Sequence, residues 1–412
     1  MRVLILIESA TIGGHVLSAL TTAGELQNRG HEVEVASGQG ELRPTIPERF
    51  RYHEVPFHHF HKRRQTNFTL RSFETVRALA GIVSAGKYDI IHAFDTRSYI
   101  VATMLDLLVS PISVACTICG GVAPYNNIPR SNNLIVFSEE QKNRMIHTYG
   151  WREEDVVVIR SRLDMEQFTI SDNEVHQVCM EFGIDPSFNN IMMVTTFLGP
   201  KVRPVQNVLR AMRSVLGANP HYRFIMIGAK GEFYGKAREI GAGINMELQR
   251  DAIVFTGLVP GAYRFLKNAS IVLGQGRSAF EGMAFGKPTL IVGDNGYAGT
   301  VCDRDIEDLA YYNFSGRNMS SMVPAERMAE EINRLIRDRE YRDRVGRFGR
   351  DYVYRHINIK AGIPDIEKVY ERNIEYSRLG SRPKRMLNLM RVTAPILFDN
   401  YYNMLKSLVM GK

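Results

Sequence analysis

Short apolar segments alternate with helical segments along this chain, and the alternation begins again near residue 190. The predicted strands form two series: 3–7, 31–36, 88–92, 112–118, 134–137 and 156–159, then 191–195, 222–227, 252–255, 271–273 and 288–292. Helical patterns separate them, such as the one that opens at Gly13 and Gly14 and ends at Gly30. Repeated strand–helix units predict an α/β fold with two parallel sheets, each binding ligands at the carboxyl ends of its strands.

Composition supports two domains and a reduced environment. The chain has 412 residues, of which 44% are hydrophobic, which is enough for two cores. The apolar N-terminus turns polar at Glu8, which predicts a first strand and not a signal peptide. Four cysteines cannot form a disulfide framework in so long a chain, which predicts a cytoplasmic location. Cys116 and Cys119 form a C-x-x-C without a second pair at zinc spacing, so we predict no metal there.

The chain carries a net charge of +8, which favours an anionic partner. Basic residues concentrate at 58–64 and in the tail from Arg378 onward. Neither stretch belongs to a recognisable nucleic-acid-binding pattern. We therefore predict no nucleic acid, and expect the phosphates of a sugar nucleotide, a lipid carrier or a membrane surface to be the partner.

The most informative segment is residues 271–290, where an apolar strand leads into Gly274 and Gly276 and then into a helix predicted to begin near Ser278. This geometry points backbone N–H groups and the positive end of a helix at an anion, usually a phosphate. Glu281, one turn into that helix, can accept both hydroxyls of a ribose. The alternative is structural, because a strand, a glycine turn and a helix occur in every doubly wound protein.

Together with other segments, residues 274–288 resemble the nucleotide-sugar motif of retaining glycosyltransferases with the GT-B fold. Similar features occur, in chain order, at Gly13, Gly14 and His15, at the strand-end His92, at the helix-capping Ser138, at residues 158–168, at Thr256, Gly257 and Leu258, and at the glycine loop that ends at Gly299. The resemblance covers roughly residues 1–375. It implies two Rossmann-like domains facing a central cleft, followed by a C-terminal helical extension.

The same resemblance implies a division of labour along the chain. Residues 1–165 would form the acceptor domain, 166–360 the nucleotide-sugar donor domain, 361–380 helices that return towards the N-terminal domain, and 381–412 a basic amphipathic tail. The tail combines Lys and Arg with large apolar residues, so we predict that it docks on an anionic membrane. Packing of the tail on the protein or on a second subunit is the alternative. The predicted location is therefore cytoplasmic, with peripheral attachment to the inner face of the membrane.

The residue roles also follow from the resemblance. Catalytic roles fall to Arg203, Lys201 and Glu281, and donor contacts to Gly13, Gly14, Arg277, Ser278, Glu281, Thr256, Gly257, Leu258 and Gly299. His15, His92 and Cys119 would lie near the sugar or the acceptor. Breaking the anomeric bond creates a doubly charged leaving group, so fixed cations and N–H donors should supply most of the stabilisation. The resemblance implies retention of anomeric configuration, with a nucleoside-diphosphate sugar as co-substrate and no obligatory metal or other cofactor.

Three departures from the family pattern bear on activity. The first of two family glutamates falls on Leu273, and a middle-strand histidine falls on Cys119. The arginine of a diphosphate-binding pair falls on Leu198, and its lysine falls on Arg203. The leading prediction is a transferase acting on a glycan or lipid-linked acceptor in surface polysaccharide biosynthesis. The alternatives are a catalytically degenerate GT-B subunit that scaffolds a partner and, less favoured, a nucleotide-sugar epimerase.

Overall fold

The computed structural model describes residues 1–57, 72–120, 128–130, 133–160, 162–197, 199–229, 231–379, 383, 385–387 and 389–394. The basic segment 58–64, Leu198 and most of the predicted tail 381–412 lie outside these residues. The described chain divides into two compact units. The first unit contains Met1–Arg162 and the described residues from Ile359 onward, and the second unit contains Leu163–Asn358.

The helices and strands alternate along most of the chain, as the sequence predicts. The strands are β1 Arg2–Ile7, β2 Glu32–Ser37, β3 Arg51–Glu54, β4 Ile90–Ala93, β5 Ser113–Ile118, β6 Leu134–Val136, β7 Val156–Val158, β8 Asn189–Val194, β9 Tyr222–Ile227, β10 Ile253–Gly257, β11 Ala269–Gly274, β12 Thr289–Gly293 and β13 Gly296–Thr300. The α-helices are α1 Gly14–Asn28, α2 Ser72–Gly86, α3 Thr96–Leu108, α4 Glu139–His147, α5 Asp172–Glu181, α6 Val202–Ala218, α7 Tyr234–Leu248, α8 Arg277–Ala284, α9 Ile306–Tyr311, α10 Ala325–Arg337, α11 Arg339–His356 and α12 Ile359–Leu379.

The first unit is built on a parallel sheet with strand order β3-β2-β1-β4-β5-β6-β7. Its inner strands are nearly continuous apolar runs, as expected for a parallel sheet covered on both faces. Helices α1 and α12 pack on one face with the core around Tyr370, while α2 and α3 cover the other face around Leu79 and Leu105. Strand β3 was not predicted from the sequence.

The second unit has strand order β10-β9-β8-β11-β12-β13, which is parallel except for the last pair. Residues 296–299 were predicted as a glycine loop, and that prediction is wrong because they form most of β13. The segment runs antiparallel to β12, so Gly299 lies opposite Ile291 within the ladder. The two sheets have the α/β architecture predicted from the sequence. No helix of the described chain is long and apolar enough to cross a membrane.

Candidate functional site

The 274–278 loop comprises the last residue of β11, the connection at Gln275 and Gly276, and the first two residues of α8, at the carboxyl edge of the second sheet. Gly276 adopts φ +51° and ψ −121°, a conformation that residues with a Cβ rarely take, and its N–H donates to the carbonyl of Phe314 at 2.9 Å. The hydroxyl of Ser278 accepts from the N–H of Gln275 at 3.2 Å and donates to its carbonyl at 3.1 Å. These bonds fix the first turn of α8, which begins at Arg277, close to the predicted Ser278.

This loop lies where ligands bind in open α/β sheets. Strand order reverses at β8, because β9 lies on one side of it and β11 on the other. The crevice outside the carboxyl ends of β8 and β11 is therefore the topological switch point of the second sheet. Thr195 and Thr196 directly follow β8 at this point and were not predicted as site residues.

The predicted cations Lys201 and Arg203 lie at the start of α6, the helix that follows β8. Lys201 is half-buried and Arg203 is exposed. Burial lowers the pKa of the Lys201 ammonium, and the Asp294 carboxylate is close enough to oppose that shift. Among the residues described, Lys201 makes no ion pair, so it is a desolvated cation beside the switch point. Leu198, which replaces the family arginine, lies outside the described residues.

Glu281 is buried in α8 and pairs with Arg277, whose Nε lies 2.9 Å from its Oε1. Burial raises the pKa of Glu281, and the charge and hydrogen bond of Arg277 oppose that rise. The prediction from the sequence is that Arg277 contacts phosphate and Glu281 contacts ribose. In this structure the two side chains hold each other, one helical turn apart.

The remaining donor positions of the second unit are spread along its sheet. Thr256 and Gly257 are the last two residues of β10, the edge strand, and Leu258 follows it; Gly257 takes φ +77° and Leu258 is exposed. Gly299 lies within β13 with φ +134°, and a Cβ there would stand 3.6 Å from an oxygen of Asp305. The glycine that turns the chain at the sheet edge is Gly296, next to the end of β12.

In the first unit, Gly13 and Gly14 lead from β1 into α1. Gly13 is the extended N-cap residue, Gly14 opens the helix, and the ring of His15 folds back to within 2.9 Å of where a Gly13 Cβ would be. The carboxyl ends of β1 and β4 form the switch point of this sheet, because β2 lies on one side of β1 and β4 on the other. The glycine turn therefore lies at the ligand-binding edge of the first unit.

The side chain of His92 does not lie at the ligand-binding edge of the first unit. It is fully buried in β4, and its two ring nitrogens lie 2.7 Å from the hydroxyls of Tyr370 and Thr117. Burial lowers the pKa of His92 to about 3. With both nitrogens satisfied inside the core, its side chain is structural, which corrects the prediction that it lies near the sugar. Cys119 is partly exposed at the exit of β5, and burial raises the pKa of its thiol.

The charged residues at the first unit's switch point were not predicted from the sequence. Glu8 directly follows β1, and Asp95 and Arg97 follow β4. Arg97 pairs with Glu8, while Asp95 accepts the N–H groups of Glu8 at 2.7 Å and Ser98 at 2.8 Å. Burial and the charge of Asp95 raise the pKa of Glu8 to about 6, against the opposing effect of Arg97. The available signal was position, because each acid is among the first residues after a buried strand.

The described residues contain no group of three or more His, Cys, Asp or Glu side chains arranged to hold a metal ion. The polar groups at the two sheet edges are instead cations, carboxylates and backbone N–H groups, which suit phosphates and hydroxyls.

Comparison with known proteins bears on both units. Residues 12–167 match the sequence model of the family described as Glycosyltransferase Family 4. No curated protein sequence matches the chain. Solved structures do match, and 404 chains are similar to this one.

Three of these structures illustrate the likeness. A glycosyltransferase from Rickettsia africae has a TM-score of 0.66 at 15% identity, covering 90% of this chain and 98% of that one. Anabaena HepE in complex with UDP and glucose has a TM-score of 0.67 at 14% identity, covering 90% and 99%. The UDP-GlcNAc 2-epimerase of Neisseria meningitidis bound to UDP-GlcNAc has a TM-score of 0.60 at 14% identity, covering 90% and 99%. The chain thus has the GT-B fold, and its residues 12–167 resemble the Glycosyltransferase Family 4 sequence model.

Proposed function

We propose that this protein is a glycosyltransferase that moves a sugar from a nucleoside diphosphate to a glycan or lipid-linked acceptor, with retention of anomeric configuration. The observation that carries the proposal is the loop at residues 274–278, with the desolvated Lys201 beside the switch point of the same sheet. The family domain at residues 12–167 supports the same activity.

The second unit would bind the donor. Departure of a nucleoside diphosphate places new negative charge on its phosphates, and a cation that is already partly desolvated stabilises this charge without reorganisation. Lys201 meets that requirement, and the exposed Arg203 can add a second contact from the same helix start. The N–H groups at Arg277 and Ser278 begin α8 and would face the phosphates.

Glu281 would bind the ribose. Its carboxylate is held by Arg277 and lies one turn inside α8, so its position relative to the 274–278 loop is rigid. A fixed carboxylate can accept hydrogen bonds from two neighbouring hydroxyls. Thr256, Gly257 and Leu258 would then lie beside the base, and Gly299 behind the phosphates.

The first unit would bind the acceptor. Its switch point presents the Gly13–Gly14 turn, His15 and the Glu8–Arg97 pair, and Cys119 leaves the neighbouring strand β5. These polar groups suit a hydroxyl-bearing acceptor such as a growing surface polysaccharide or a lipid-linked sugar.

Attachment to an anionic membrane is part of the proposal, and the described part of the C-terminal segment supports it. Leu389 and Val392 pack into the core of the first unit, while Leu387 and Met390 are 55% and 56% exposed on the opposite side, next to the exposed Arg391. An outward apolar face with a basic residue suits a lipid surface. Wild type should bind phosphatidylglycerol vesicles more tightly than phosphatidylcholine vesicles, and replacing Leu387 and Met390 by Ser should reduce binding to phosphatidylglycerol.

The deciding experiment measures release of UDP and GDP from a panel of their sugar conjugates. We expect release from one donor, and a loss of about 10²-fold in Lys201→Met. Arg210→Met is the matched control, because Arg210 is an exposed cation further along α6. Product anomers, read by NMR, test retention. An epimerised sugar nucleotide without nucleotide release would indicate an epimerase. Binding without release, even with glycan acceptors present, would indicate a scaffold subunit.

A further inference from the structure

The second unit lacks a carboxylate at the end of β11, where the family has its first glutamate. Leu273 takes that position and is fully buried, so its side chain belongs to the core and cannot contact a ligand. Beside it in the sheet runs β12, with Leu273 opposite Leu290 and Gly274 opposite Ile291. On the other side of β11 runs β8, which is followed by Thr195 and Thr196 and not by an acid, so the end of β12 is the neighbouring strand end that supplies a carboxylate.

Asp294 is the first residue after β12. Its carboxylate Oδ2 lies 3.3 Å from Nη1 of Arg317, and the side chains are 25% and 11% exposed, respectively. The carboxylate thus keeps an exposed edge, while the guanidinium that holds it is mostly buried. Lys201, the proposed phosphate-binding cation, is close enough for Asp294 to affect its pKa.

The backbone explains why these two distant residues meet. A Cβ on Gly293 would lie 1.8 Å from the carbonyl oxygen of Ser315, and one on Gly316 would lie 3.0 Å from the Cα of Gly293. The two glycines therefore allow the chains to touch, and the N–H of Asp294 donates to the carbonyl of Ser315 at 2.9 Å. Asp294 and Arg317 follow these glycines directly, so the contact sets their side chains next to each other.

The same contact joins Asp294 and Arg317 to the 274–278 loop. The side-chain oxygen of Gln275 lies 2.9 Å from the position of a Gly293 Cβ, and the N–H of Gly276 donates to Phe314, next to Ser315. Asp294 consequently lies at the edge that carries the 274–278 loop and is close to Lys201, the two features from which the donor site was inferred.

We propose that Asp294 is the carboxylate that binds the hydroxyls of the transferred sugar, and that Arg317 is a positioning residue that fixes its orientation. This proposal rests on the function proposed above. A carboxylate accepts hydrogen bonds from neighbouring hydroxyls, so the donor class is a neutral sugar. A uronic acid donor would bring a second carboxylate to Asp294, and like charges at such a distance repel.

The test compares the affinities of UDP, UDP-glucose, UDP-glucuronic acid, GDP and GDP-mannose by calorimetry. The quantity to follow is the Kd of the diphosphate divided by that of its neutral sugar conjugate, which isolates the contribution of the sugar. We expect Asp294→Asn to lower this ratio about tenfold, as loss of a charged hydrogen bond does; any effect of the lost charge on Lys201 changes the Kd of the diphosphate and of its conjugate alike and leaves the ratio unaffected. Asp251→Asn, an exposed acid of the same unit, should change neither value.

Arg317 is tested by rescue. Arg317→Met should lower the ratio as Asp294→Asn does, and Arg317→Lys should restore part of it, which loss of packing alone would not produce. A ratio that survives Asp294→Asn, or tight binding of UDP-glucuronic acid to the wild type, would overturn the inference and leave the transferase proposal standing. Failure of the wild type to bind any of these nucleotides would overturn both.

Discussion

Glu34 is a buried carboxylate of the first unit, and we assign it a purely structural role. It lies on β2 and accepts hydrogen bonds from Tyr88 at 2.5 Å and Arg2 at 2.8 Å, while His53 Nε2 stands 2.5 Å away. Arg2 is on β1 and His53 on β3, so the carboxylate joins three neighbouring strands. We predict that Glu34→Gln destabilises the first unit in a pH-dependent way.

The magnitude follows from the pKa of Glu34. Burial alone would raise this pKa, but the hydrogen bonds from His53, Tyr88 and Arg2 lower it from 4.5 to about 2. Such a difference between unfolded and folded states corresponds to about 3 kcal/mol. Because the folded pKa is the lower one, this stability is fully present above pH 4.5 and is lost as the pH falls towards 2.

The chain offers a local probe for the assay. Trp151 is the only tryptophan in the sequence, and it is buried in the first unit together with Glu34. Its fluorescence during urea unfolding therefore reports the first unit, which matters because a protein of two units need not unfold in one step. At pH 7 the variant should be less stable by about 3 kcal/mol, and the difference should shrink as the pH falls from 4.5 towards 2.

Glu32→Gln is the matched control, because Glu32 is an exposed acid on the same strand and lies 3.6 Å from the same Arg2. An exposed ion pair contributes little, so the control should differ from wild type by less than about 1 kcal/mol at every pH. A gap between wild type and Glu34→Gln that does not change with pH would refute the reasoning, since it would mean that the ionised form is not preferentially stabilised.

Three further predictions concern the two candidate sites. Glu281→Ala should destabilise the second unit by about 3 kcal/mol, because it removes the carboxylate from the buried Arg277 guanidinium, and Glu281→Gln should cost less; circular dichroism during urea unfolding checks both. Glu8→Gln should stabilise the first unit above pH 6, because burial and Asp95 raise the pKa of Glu8 to about 6, and Trp151 fluorescence should show the gain growing as the pH rises from 4.5. Diphosphate release should persist in excess EDTA, since the proposed stabilisation of the leaving group comes from Lys201 and N–H donors; loss of release that Mg²⁺ restores would contradict it.

Most of the fold could be predicted from the sequence because buried parallel strands are nearly continuous apolar runs. Runs such as β1 and β8 are apolar throughout, and the second series of strands begins where a new sheet begins. Local capping was also predicted correctly, since the Ser138 hydroxyl caps α4 by accepting a hydrogen bond from the N–H of Gln141. The predictions that succeeded depended on residues near each other in the chain.

Features that depend on tertiary contacts were not predicted from the sequence. The family resemblance predicted a glycine loop at residues 296–299, yet they pair with β12. The sequence gives no sign that His92 is enclosed by Tyr370, which lies 278 residues away. The Asp294–Arg317 pair similarly requires the contact of two glycines. The Arg277–Glu281 pair is the exception, because a spacing of four residues on a helix could have predicted it.

Two acids of the first unit differ in how their ionised forms affect stability. Hydrogen bonds lower the pKa of Glu34 despite burial, so its ionised form stabilises the fold. Burial and Asp95 raise the pKa of Glu8, so its ionised form costs stability where it stands, at the switch point of the sheet. A fold selected for stability alone would gain by replacing Glu8. If Glu8→Gln is more stable and less active than wild type, the cost is explained by acceptor binding, and this edge of the first unit is a site.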